Sequence, residues 1–128
     1  MEPTKKKILI AEDETAIASA LELKFSHEGF EVKIAKDGDE ALNLIKTEPF
    51  SLVLMDLMMD KKDGFTVLEE MQKNNITIPV VVISNLGQDE DKARAEKLGA
   101  IAYFVKSNTP LYEIVERVKG ALQKVNGS

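Results

Sequence analysis

Five times along this chain a short, continuous apolar run gives way to a segment with helical spacing, and this alternation restricts the fold more than any other feature. Ile8 to Ala11, Glu31 to Ala35, Ser51 to Met55, Pro79 to Ile83 and Ile101 to Val105 are each too short for a helix and read as strands. Strands that follow one another in parallel need a crossover, which a helix supplies. The apolar, β-branched character of these runs suits a parallel sheet covered on both faces. The expected fold is therefore an α/β, doubly wound, three-layer domain with a five-stranded parallel sheet and five helices.

Local signals place the helices. The first spans about Ala16 to His27, turns Ile17, Ala20, Leu21 and Phe25 to one face, and ends ahead of Gly29. Asp37 with Glu40 three residues later has the form of a capping box, with Ala41, Leu42 and Ile45 facing inward behind it. A third helix from Gly64 to about Asn74 carries Phe65, Leu68 and Met71. The fourth, about Asp89 to Leu98, is so charged that its packing is expected to be the loosest. Thr109 as N-cap and Pro110 at the first helical position open the fifth, whose stripe is Leu111, Ile114, Val115, Val118 and Leu122. Asn126, Gly127 and Ser128 read as a fraying end.

Composition narrows the chemistry. A length of 128 residues fits one domain, with an ordered core expected over about 6–124. The absence of cysteine excludes thiolate metal sites and a cysteine nucleophile, and the single His27 cannot build a multi-histidine site. A formal charge of −5 repels phosphate backbones and argues against nucleic-acid binding by this domain. No apolar run approaches the roughly 20 residues of a membrane span, so a cytoplasmic protein is expected. Lys5, Lys6 and Lys7 read as solubility guards of the first strand.

In open α/β sheets ligands bind beyond the carboxyl ends of the strands. Glu12 and Asp13 follow the first strand, Asp56 ends the third, Ser84 the fourth and Lys106 the fifth, so all belong on one rim. Two carboxylates about 4 Å apart repel by roughly 4 kcal/mol at an effective dielectric of 20, so clustering three of them calls for a cation. All-oxygen ligands select a hard ion, magnesium first and manganese as the alternative. With Lys106 as a point charge and the Ser84 hydroxyl as a donor, the rim complements a phosphoryl group, and a carboxylate nucleophile facing it gives an aspartyl phosphate.

The segments Ile-Leu-Ile-Ala-Glu12-Asp13-Glu14, Val-Leu-Met-Asp56-Leu-Met-Met59 with Gly64, Val-Val-Ile-Ser84 and Tyr103-Phe-Val-Lys106 together resemble the receiver domain of bacterial two-component response regulators, over about residues 6–124. The resemblance implies a flavodoxin-like strand order of 2-1-3-4-5. It implies that Asp56 is the phosphoacceptor, that the Asp13 and Asp56 carboxylates and the Met58 backbone carbonyl bind magnesium, and that Glu12 holds the metal through water. Ser84 and Lys106 would contact the phosphoryl oxygens, and Tyr103 would be an aromatic switch that moves inward with Ser84. The implied partners are a histidine kinase or phosphotransfer protein and an effector domain or partner protein, with a phosphorylation-dependent homodimer as a further implication. Such a domain catalyses its own phosphoryl transfer and dephosphorylation without being a turnover enzyme.

Three residues depart from the family pattern. Asp60 stands where proline is usual and adds negative charge near the site; Asn85 replaces a small residue after Ser84. Ser107 replaces the proline that often follows the lysine in a cis peptide, and a non-proline cis bond costs about 2.5–4 kcal/mol, so a trans bond is expected. These departures motivate the alternative of a pseudo-receiver, a protein-binding module that works without phosphate. The complete acidic rim stands against it. Against a flavodoxin-like nucleotide binder, Glu12-Asp13-Glu14 would repel a phosphate where a glycine-rich loop belongs.

Overall fold

The computed structural model describes residues 6–125, so Lys5 and the expected fraying end at Asn126 to Ser128 lie outside the described residues. Five strands and five helices alternate: β1 (Lys7–Ala11), α1 (Thr15–His27), β2 (Glu31–Ala35), α2 (Gly38–Thr47), β3 (Leu52–Asp56), α3 (Gly64–Lys73), β4 (Val80–Ser84), α4 (Asp89–Lys97), β5 (Ala100–Val105) and α5 (Leu111–Val125). The strands form one parallel sheet in the order β2-β1-β3-β4-β5. Among the described residues no helix is long and apolar enough to cross a membrane.

The period-2 geometry of a strand divides the core into two layers. Ile8, Ile10, Leu52, Leu54, Val81 and Ile83 point to the face covered by α1 and α5, where they meet Leu21, Phe25, Ile114 and Val118. Leu9, Val53, Met55 and Val82 point the other way, onto Leu42, Ile45, Phe65, Leu68 and Met71. Every residue of β3 and β4 is buried, which explains why those runs are continuous rather than alternating. Lys7, an expected solubility guard, instead pairs with Glu48 and Glu31 and lies over the Phe50 ring.

Helix ends follow their local chemistry. Gly29 takes a left-handed φ of +92° after the Glu28 cap, as expected of a glycine just past a helix. The Asp37 carboxylate accepts the Glu40 amide at 2.8 Å, but the reciprocal Glu40 carboxylate accepts from Lys36 rather than from the cap itself. In α1 the most deeply buried alanine is Ala18, whereas Ala20 is half-buried. As its charge implies, α4 buries only Ala95.

One boundary needs correction. The last helix starts at Leu111, not Pro110, because the Pro110 carbonyl accepts the amides of Glu113 and Ile114 and so occupies the cap position. A 3-10 turn over Lys106–Asn108 takes up the chain before it, and the Thr109 amide bonds back to Lys106. No peptide among the described residues is cis, so the Lys106–Ser107 bond is trans.

Gly120 sits on the exposed side of α5, with nothing within 4 Å of where a Cβ would stand. Gly120→Ala should therefore stabilise the domain by roughly 0.5–1 kcal/mol, through helix propensity alone. A higher urea midpoint at unchanged m-value would show it, and an unchanged midpoint would refute it.

Candidate functional site

Parallel pairing brings the carboxyl ends of the three central strands to one rim. Ala11 lies opposite Met55, so Glu12 stands beside Asp56 across the β1–β3 gap. Asp56 pairs with Ile83, which leaves Ser84 one residue further along β4. Carboxylate oxygens of Glu12, Asp13 and Asp56 lie within 4.8 Å of one another, the first and third buried and the second exposed. The acidic residues that follow β1 and end β3 thus converge.

Lys106 supplies the opposing charge. Its ammonium is 2.8 Å from Asp56 Oδ2, 2.7 Å from Glu12 Oε1 and 3.2 Å from Glu14 Oε1, while its side chain is only 9% exposed. Burial works against this ammonium, but its contacts with Asp56 and Glu12 outweigh that cost and raise its pKa above the ordinary lysine value. Burial also pushes the Glu12 carboxyl up to about 7, against the pull of Lys106 and of the Glu14 amide. Glu14 was not among the sequence candidates. It shields the outer side of Lys106, and its amide donates to Glu12 Oε2 at 3.0 Å. Its signal was the run Glu12-Asp13-Glu14, read only for its first two members.

The other oxygen of Asp56, Oδ1, accepts the Met58 amide at 3.1 Å, which fixes the carboxylate plane and ties the β3–α3 loop to it. Ser84 is fully buried, and its hydroxyl accepts the Leu86 amide at 3.1 Å. The Tyr103 hydroxyl donates to the Leu86 carbonyl. Ser84 and Tyr103 therefore share Leu86 as a partner, a residue that periodicity gave no reason to single out, and their hydroxyls also lie near each other. Burial raises the Tyr103 pKa, so the phenol stays a donor.

A cleft of about 720 Å³ opens over Asp56 and Lys106 and continues past Met58, Asp60 and Asn85 to Arg94, whose guanidinium stacks 4.1 Å from the Phe65 ring. All ligand atoms the acidic cluster offers are oxygens, and the buried Glu12 Oε1 pairs with the Lys106 ammonium at 2.7 Å. Crowded carboxylates that offer only oxygen donors fit a hard divalent cation.

Comparison with known proteins gives a consistent result. A family model described as "Response regulator receiver domain" matches residues 8–119. The chain is 40% identical over 124 residues to a "Probable transcriptional regulator ycf27" of Cyanophora paradoxa, covering 97% of this chain and 51% of that protein. It is 33% identical over 119 residues to the "Alkaline phosphatase synthesis transcriptional regulatory protein PhoP" of Bacillus subtilis, covering 93% and 49% respectively. The chain thus spans about half the length of the curated relatives it matches. A solved Francisella response regulator receiver domain superposes with a TM-score of 0.89 at 33% identity, over 94% of this chain and 99% of that one. A CheY-like receiver domain protein from Methanospirillum hungatei does so with a TM-score of 0.88 at 29% identity, over 94% and 96%.

Proposed function

We propose, for a chain that belongs to the response regulator receiver domain family of two-component signalling, that Asp56 accepts a phosphoryl group from a phosphohistidine donor, a histidine kinase or a phosphotransfer protein. The observation that carries this reading is the state of Asp56: 2% exposed, held by the Met58 amide and the Lys106 ammonium, and open to a cleft.

Each residue then has a task. An Asp56 carboxylate oxygen attacks phosphorus, the new O–P bond forms as the P–N bond of the donor breaks, and the leaving imidazole keeps the electron pair and takes up a proton. Lys106, already at the Asp56 oxygen, neutralises charge on the transferred group as a point charge. The Ser84 hydroxyl, now an acceptor for Leu86, turns to donate to a phosphoryl oxygen. Asp13, Asp56 and the Met58 carbonyl would hold magnesium, with Glu12 acting through water; the ion supplies charge neutralisation at the phosphoryl oxygens. Manganese satisfies the same donor set.

Breaking the Ser84–Leu86 bond releases the turn that also holds Tyr103, which biases the β4–α4 region and β5 toward a second arrangement. That altered face engages an effector domain or partner protein, and the relatives' names point to transcriptional output. A cytoplasmic setting follows from such partners.

Incubation with magnesium and acetyl phosphate should add one phosphoryl group to the intact mass, and Asp56→Asn should abolish the gain. Equal labelling of Asp56→Asn overturns the assignment of Asp56. A parent that takes up nothing and binds no magnesium points to the pseudo-receiver, for which Asp60, Asn85 and Ser107 are the motivation.

A further inference from the structure

The β3–α3 loop, residues 57–63, carries Met58 and Asp60 beside the acidic rim; its near half is anchored by Leu57 and Met59, both buried in the core, whereas its far half, Asp60 to Asp63, buries no residue. Leu57 accepts the Gly64 amide, and Met58 is tied to Asp56. The far half is supported from across the domain surface, at the amino end of α2. There the Gly38 amide donates to the Asp60 carbonyl at 3.3 Å. A Cβ on Gly38 would stand 1.9 Å from the Lys62 carbonyl oxygen and 2.6 Å from its carbonyl carbon, so loop backbone and helix backbone touch directly. Two loop carbonyls thus face the positive end of the helix dipole. Charged pairs flank the contact: Lys61 with Asp37 at 3.5 Å, and Lys62 with Asp39 at 3.9 Å and Glu70 at 2.8 Å. Lys61 adopts a left-handed φ of 68° to make the approach.

We propose that Gly38 is a positioning residue: the bare backbone at the start of α2 is the abutment against which the β3–α3 loop sets the Met58 carbonyl for the metal. The inference rests on the reading of the acidic rim given above. If the contact is filled, the less firmly held partner yields. Helix α2 is anchored in the core by Ala41, Leu42 and Ile45. In the loop Leu57 and Met59 are buried, but Asp60 and Lys61 are exposed and Lys62 is half-buried, so the far half of the loop is the softer body. A methyl group at position 38 forces the Lys62 carbonyl back by about 1.5 Å to reach ordinary contact. The shift propagates through Lys61 and Asp60 to the Met59 amide and so to the Met58 carbonyl that shares its peptide plane. Outer supports of a metal site are commonly worth 10–100-fold in affinity, and Gly38→Ala should lose magnesium affinity in that range.

The test measures magnesium binding by calorimetry and the amide NMR spectrum of the metal-free protein, for the parent, Gly38→Ala and Val118→Ala. Val118 is fully buried in α5 and away from the rim, so its variant reports what lost stability alone does. The expected result is a 10–100-fold weaker affinity for Gly38→Ala with shifted amides at Leu57 to Asp63, against parent-like affinity and loop amides for Val118→Ala. Tight binding by Gly38→Ala, or equal weakening in Val118→Ala, overturns the positioning role while leaving the metal site standing. A parent that binds no magnesium overturns both.

Discussion

Phe25→Ala lowers the unfolding free energy by about 3–5 kcal/mol and Tm by roughly 10–15 °C. Phe25 is fully buried on the inner face of α1, and its ring meets Phe30 edge-on at 5.8 Å. Around it stand Leu21, Ile8 and Ile10, the last two fixed in a strand paired on both sides. Such walls cannot collapse into the space left by a phenyl ring, so the cavity term adds in full to the lost transfer energy. Phe25→Leu refills most of the volume and should cost less than about 2 kcal/mol. Urea unfolding of both variants checks the pair. A loss under about 1.5 kcal/mol for Phe25→Ala would mean that α1 is not packed on the sheet as described.

Phe25 also shows which parts of this fold were legible from residue order. Its burial follows from helical spacing in a window that holds no competing pattern, and the strands β3 and β4 followed from unbroken apolar runs. Burial periodicity is a local property, so it locates elements to within a residue or two. The start of α5 was missed for a different reason. A proline one residue after a threonine is equally compatible with cap and first-turn positions, and the choice was made by the 3-10 turn over Lys106–Asn108, which no local pattern announces.

The rim residues were legible because topology does the gathering. Once strands are known to be parallel, Glu12, Asp13, Asp56, Ser84 and Lys106 must share an edge. What order alone could not yield is how neighbours tie that edge together. Leu86 links Ser84 to Tyr103 through backbone groups, which every residue possesses, so its identity carries no signal. Gly38 is silent for the same reason: a close approach between a helix start and a loop leaves no period in the chain. Glu14 could have been found, since any acidic residue next to two rim carboxylates competes for the same lysine.

That lysine is the second large lever. Lys106→Met keeps the aliphatic stem but leaves Glu12 and Asp56, both buried, without a counter-charge. Removing one partner of a buried charged group typically costs about 3–5 kcal/mol, so a loss of about 3 kcal/mol is expected near pH 8 in metal-free buffer. The loss depends on pH in a definite sense. Burial already holds the Glu12 carboxyl at about 7, well above its unfolded value of 4.5, and without the ammonium nothing comparable opposes that rise. The folded variant then binds more protons than the unfolded chain between the two values, so its stability falls as pH rises from the unfolded value up through the folded pKa and is fully regained only below 4.5. Magnesium should restore part of the loss at high pH, because a divalent ion replaces the missing charge between the same oxygens. Urea unfolding of parent and variant at about pH 6 and about pH 8, with and without magnesium, reads all three effects. A deficit that is the same at both pH values and indifferent to magnesium would show that the rim carboxylates do not act as one anionic site balanced by Lys106.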